Sequence, residues 1–209
     1  VEQNITAEVP QSTTPRSRGR WKLFAVLLVC AAPLIASYVA YYVVKPTARN
    51  NYGTLIDPRS YPIPAMASTT LDGRPETLEQ YKGKWIMLKV GGGACDKACQ
   101  EQLFEMRQLR VMQGKNRDRI ERVWLVTDRE PLDTIVMREF DGTHMLRAPA
   151  DVVRTWLPVD AGTTAEEHIY LIDPLGNLMM SFPKDPDRPQ ARNKMNKDIG
   201  KLLKASAIG

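Results

Sequence analysis

Residues 23–44 read LFAVLLVCAAPLIASYVAYYVV, 22 positions without a charged side chain. A helix of that length rises about 33 Å, enough to cross a hydrocarbon core of about 30 Å. The run is longer than the roughly 7–15 apolar residues of a cleaved signal peptide, which predicts a retained anchor. Trp21 at one end and Tyr38, Tyr41 and Tyr42 towards the other suit the membrane–water interface. Pro33 is tolerated inside such a helix, and Cys30, in mid-span, reads as a small apolar packing residue. Arg16, Arg18, Arg20 and Lys22 precede the span, against Lys45 and Arg49 after it. The positive-inside rule therefore leaves residues 1–22 in the cytoplasm as a polar, disordered tail and exports the rest. In a bacterium this predicts a single-pass inner-membrane protein with a periplasmic main domain, in an oxidising space where paired cysteines can cycle.

The net charge of +5 dissolves when divided along the chain: residues 46–209 hold 24 basic against 22 acidic side chains. So balanced a surface lacks the electrostatic footprint of nucleic-acid binding. Three cysteines are too few for a disulfide-stapled scaffold, and 15 prolines argue against an all-helical bundle. Residues 45–64, with four prolines and no sustained periodicity, read as a linker, and residues 65–209 as the folded domain.

Within that domain apolar runs alternate between strand-like and helix-like. Trp85 to Val90 is a mostly apolar run of the type found in a buried central strand. After Gly91, Gly92 and Gly93 a helix is expected to begin near Cys95, with Cys99, Leu103, Met106, Leu109 and Met112 on one stripe. Val123–Thr127 predicts a second strand, Asp133 to Phe140 a helix, Met145–Leu146 a weaker strand, and Val152 to Trp156 a short helix. His168–Ile172 and Leu178–Phe182 flank the turn cluster Asp173-Pro174-Leu175-Gly176-Asn177 and read as a hairpin. Met195, Ile199, Leu202 and Leu203 mark an amphipathic terminal helix. Its basic residues Arg192, Lys194, Lys197, Lys201 and Lys204 read as a solvated face. The order predicts an α/β domain, a mixed sheet covered by helices on both faces.

Chemistry concentrates at Cys95 and Cys99, a C-x-x-x-C pair at a strand-to-helix junction. The amino end of a helix lowers a thiol pKa by placing unpaired N–H groups near sulfur, and the thiolate is the reactive form. Lys97 adds to that effect and Asp96 opposes it. Spacing of four puts both side chains on one helix face, about 6 Å apart at Cα, a separation compatible with a disulfide. The same two soft sulfurs suit Cu(I), while two buried packing cysteines are the plainest alternative.

These runs carry a family resemblance. Lys82-Gly83-Lys84-Trp85 with its following strand, Cys95-Asp96-Lys97-Ala98-Cys99-Gln100-Glu101-Gln102-Leu103, and Tyr170-Leu171-Ile172-Asp173-Pro174-Leu175-Gly176 resemble the SCO/SenC family. The resemblance spans roughly residues 65–205. It implies a thioredoxin-like domain behind one transmembrane helix, and a role in assembling the copper site of cytochrome c oxidase. By that likeness Cys95 and Cys99 match the copper-binding, redox-active cysteines, with oxidase subunits or other periplasmic thiol proteins as partners. The chain departs from the pattern at the third ligand. The family histidine stands five residues before the tyrosine, where this chain has Ala165. His168 is the candidate metal ligand left, displaced by three positions, an odd number that along a strand puts it on the other face and leaves the metal reading resting on the two thiolates; His144 has nothing around it to favour it. The prolines after each family cysteine are Asp96 and Gln100 here.

Three functions follow: thiol–disulfide exchange or Cu(I) handling in oxidase assembly, a thiol–disulfide oxidoreductase without metal, and a non-catalytic anchored docking module with a structural disulfide. A peroxidase is disfavoured, because Gly92 stands where such enzymes carry a threonine three residues before the cysteine.

Overall fold

The computed structural model describes residues 17–44, 51–185 and 187–208; most of the expected cytoplasmic tail lies outside the described residues. The chain divides into two units, Val1–Arg49 and Asn50–Gly209.

In the first unit α1 spans Ser17–Val39, with Pro33 inside it, and passes into a π-helical turn at Ala40–Val44. Segment Arg20–Tyr42 holds an 18-residue window of mean hydropathy 2.4, with the length and composition to cross a membrane. Its large apolar side chains, among them Leu23, Leu28, Leu34 and Tyr41, stand exposed. A helix apolar all round is suited to lipid.

The second unit is built on a seven-stranded sheet in the order β1-β7-β6-β3-β4-β5-β2. Its strands are β1 Thr54–Leu55, β2 Thr69–Thr70, β3 Trp85–Gly91, β4 Ile120–Val126, β5 His144–Arg147, β6 Ile169–Ile172 and β7 Leu178–Phe182. β3, β4 and β5 run parallel, and β6 joins β3 antiparallel to open the hairpin with β7. The parallel pairs are linked through α2 (Lys97–Met112) and α3 (Thr134–Glu139); α4 (Ala150–Trp156) follows β5, and α5 (Arg188–Ala205) closes the chain. The hairpin turns on Asp173, whose carboxylate accepts from Leu175 N and Asn177 N, with Gly176 at φ +91° where a side chain would strain.

Alternation along the strands builds two cores. Ile86, Leu88, Val90, Val123, Leu125 and Tyr170 point to the side covered by α4. Trp85, Met87, Ile120, Leu171 and Phe182 point to the side where α2 and α5 lay down Met106, Leu109, Ile199 and Leu203. The two helices are clamped by Arg192, which holds buried Glu105 through two 2.8 Å hydrogen bonds. The expected helical stripe holds at Leu103, Met106 and Leu109, whereas Met112 stands exposed at the helix end.

The stretch expected as linker divides. Residues 45–50 are outside the described residues, but residues 52–63 are part of the domain. Thr54 and Leu55 pair with Ser181 and Met180, and Ile63 is buried. Tyr52 N and Gly53 N donate to the buried Asp198 carboxylate of α5, at 2.6 and 3.1 Å. A two-residue edge strand is too short to show a period, and its proline-rich surroundings read as loop.

Candidate redox site

The glycine run after β3 positions the cysteines. Gly93 N donates to Asp128 Oδ1 at 2.9 Å, and Glu130 N reaches the same oxygen at 3.1 Å. Arg147 of β5 fastens that loop by donating to the carbonyls of Asp128 and Glu130, at 2.7 and 3.0 Å. A Cβ at Gly92 would collide with the Asp128 carboxylate, and one at Gly93 with the Glu130 carbonyl. The glycines are needed because the Asp128 carboxylate and the Glu130 carbonyl leave no room for a side chain.

Asp96, not Cys95, begins the helix. Its side chain caps α2 by accepting from Cys99 N at 2.8 Å, with extended backbone at the cap (φ −70°, ψ −177°). Aspartate is a favoured N-cap because its carboxylate satisfies one of the orphan N–H groups. The helix thus starts at Lys97, near the expected Cys95. Cys95 belongs to the preceding loop, and Cys99 to the first helical turn. Cys95 and Cys99 form a disulfide with Cα atoms 5.2 Å apart. Both are half-buried and rest on an apolar bed of Leu103, Trp124, Val126, Val136 and Phe140. Cys99 also lines an adjacent cavity of about 440 Å³, together with Lys89, Gln102, Glu166 and Arg188.

Lys89 is the residue that sequence reasoning passed over. It is 2% exposed on β3, and its ammonium donates to Gln102 Oε1 at 2.8 Å and to Val90 O at 3.3 Å. Burial pushes its pKa down to about 8, partly opposed by the carboxylates of Glu166 and Asp96. The signal was present: a lone charge inside a run otherwise read as a buried central strand.

His168 falls elsewhere. It caps the 3-10 turn Ala165–Glu167 just before β6 and is 1% exposed. Its Nε2 is 2.8 Å from Thr163 Oγ1, its Nδ1 has no partner among the described residues, and burial lowers its pKa. Its ring lies 5.8 Å from that of Tyr170, whose side chain belongs to the α4 side of the sheet. The cysteines pack on the α2 side. The expected ligand trio of Cys95, Cys99 and His168 is not assembled: among the described residues no three His, Cys, Asp or Glu side chains are arranged to hold a metal ion. His168 precedes β6 in extended backbone (φ −110°, ψ 150°), which carries its side chain to the face of Tyr170. His144 sits farther off, with Nε2 3.3 Å from Glu121 and its ring against Tyr81.

Comparison with known proteins places this geometry. Residues 85–206 match the family model described as transmembrane-like, thioredoxin-like, C-terminal domain, and residues 14–44 match its transmembrane-like N-terminal counterpart. The chain belongs to this transmembrane-like, thioredoxin-like family. No curated protein matches it in sequence. The structural neighbours of this family member include SCO/SenC proteins of thioredoxin-like fold. A SCO1/SenC family lipoprotein from Bacillus anthracis aligns with 18% identity and TM-score 0.53, covering 73% of this chain and 98% of that one. Apo Sco1 from Thermus thermophilus aligns with 17% identity and TM-score 0.52, covering 76% and 98%. Arabidopsis thaliana ScoI with copper bound aligns with 17% identity and TM-score 0.50, covering 66% and 99%. At such identities the likeness is one of fold.

Proposed function

We propose that this chain is a membrane-anchored thiol–disulfide exchange protein whose Cys95–Cys99 pair cycles between disulfide and dithiol. The supporting observation is the placement of the pair: half-buried at the amino end of α2, on an apolar bed, with Cys99 facing an open cavity. A partner thiolate attacks one sulfur, the other leaves with the bonding electron pair, and a second partner thiolate resolves the mixed disulfide. The partner dithiol is oxidised and the pair reduced; in the reverse direction the roles exchange. The charge asymmetry around α1 supports a domain facing the exported side, the periplasm in a bacterium. The test is equilibration of the full chain in detergent with glutathione buffers, reading free thiols by alkylation. A pair that cycles above about −300 mV supports exchange; one that stays oxidised below it is a static bridge, and the docking-module reading takes its place.

A second reading is Cu(I) handling in respiratory oxidase assembly, with copper as cargo. It is favoured by two soft sulfurs held side by side, which fit a two-coordinate ion once reduced. They do not fit a three-ligand site that includes His168. Cu(I) titration against a competing chelator should show binding lost in Cys95→Ser and kept in His168→Ala. If neither cysteine substitution alters oxidase assembly in cells, the assembly role falls.

A further inference from the structure

We propose that Lys89 is a positioning residue for the disulfide: its ammonium, fixed beneath the amino end of α2 by Gln102, stabilises the thiolate released when the Cys95–Cys99 bond opens. The inference rests on the exchange reading above and adds the group that sets the poise of the pair.

Lys89 follows the alternation of Trp85 and Met87, so its side chain points to the α2 side of the sheet, where the cysteines also lie. An apolar residue would fill that position at lower cost, since a buried ammonium is unfavourable unless a counter-charge meets it. Among the described residues no carboxylate lies within ion-pair distance of it. Its partners are an amide and a carbonyl oxygen, both neutral. Lys89 and Cys99 line the same cavity. Asp96, Glu166, Glu167, Lys184 and Arg188 line it too, so the local field is mixed, but Lys89 is the cation among them that is buried.

Opening the disulfide adds a further negative charge to the cavity that Lys89 lines. A partner thiolate attacks Cys95, which lies on the loop between exposed Ala94 and Asp96. The S–S bond breaks, a mixed disulfide forms, and Cys99 leaves as a thiolate into the cavity it shares with Lys89. The second partner thiolate then attacks its own sulfur in the mixed disulfide, releasing Cys95 as a thiolate that takes up a proton. Stabilising charge in the reduced state alone shifts the equilibrium towards reduction, which makes the oxidised pair a stronger oxidant.

The experiment compares full-length wild type, Lys89→Met and Lys89→Arg in detergent micelles, equilibrated at pH 7 with graded reduced and oxidised glutathione. Reduced fractions are read by alkylation and mass shift, and folding is checked by far-UV circular dichroism. Lys89→Met should lower the equilibrium constant for reduction about tenfold, equivalent to about 30 mV, while Lys89→Arg stays within about threefold of wild type. A folded Lys89→Met with an unmoved constant overturns the proposal. So do equal shifts in the Met and Arg variants, which would mark a packing role. A wild-type pair that never exchanges defeats the exchange reading itself, and is recognised by the absence of thiols at every ratio.

Discussion

Replacing Lys89 should also leave a signature in stability that depends on pH. An ordinary lysine titrates near 10.5, and burial brings this one to about 8. At about 1.4 kcal/mol per tenfold change in proton affinity, the folded state is penalised by about 3 kcal/mol for carrying the charge. The sign follows from proton counts. Below pH 8 lysine is protonated in both states and the full penalty applies. Between pH 8 and 10.5 the unfolded chain binds more protons than the folded one, so stability rises with pH. Above 10.5 both forms are neutral and the penalty has gone. Lys89→Met removes it at every pH, at the loss of the hydrogen bonds to Gln102 and Val90, each worth about 1 kcal/mol. The variant should thus be more stable than wild type by about 1 kcal/mol at pH 7. That lead should shrink through pH 8–10 and reverse by pH 10.5. Urea denaturation of both proteins at pH 7, 8, 9 and 10 measures the difference, in which the exposed lysines cancel. A gap that stays constant across this window would refute the argument, because it would mean that Lys89 titrates alike in both states.

Three other outcomes are expected. Reducing the disulfide should lower stability by about 2 kcal/mol and leave the fold intact, since the bridge closes a loop with sequence separation of only 4; denaturation with and without dithiothreitol checks this. Gly92→Ala should destabilise by about 1–3 kcal/mol by displacing the Asp128 carboxylate from the Gly93 amide; a smaller effect in an Asp128→Ala background, from a double-mutant cycle, locates the clash. Arg192→Ala should cost about 3 kcal/mol, because Glu105 is 7% exposed and would lose both hydrogen bonds of its bidentate partner; its unfolding midpoint reads this directly.

The particular residues show where sequence reasoning reaches its limit. Trp85–Val90 and Leu178–Phe182 were legible because their apolar runs have a length and period that few conformations satisfy. β1 and β2 were not, because two residues carry no period and their pairing depends on distant strands. The start of α2 near Cys95 was legible, but Asp96 was weighed only as a charge near sulfur. Its stronger effect is local, a side-chain cap on the Cys99 amide.

By itself the sequence determined what depends on neighbours along the chain: an uncharged run long enough for a membrane, strands and helices with readable periods, and two cysteines close enough to join. Tertiary structure alone decided what those cysteines face. Strand pairing put Lys89 on their side of the sheet, and the turn before β6 set His168 beside Tyr170. No spacing in the sequence states which buried side chains will share a cavity, since that is set by elements folding back across many residues.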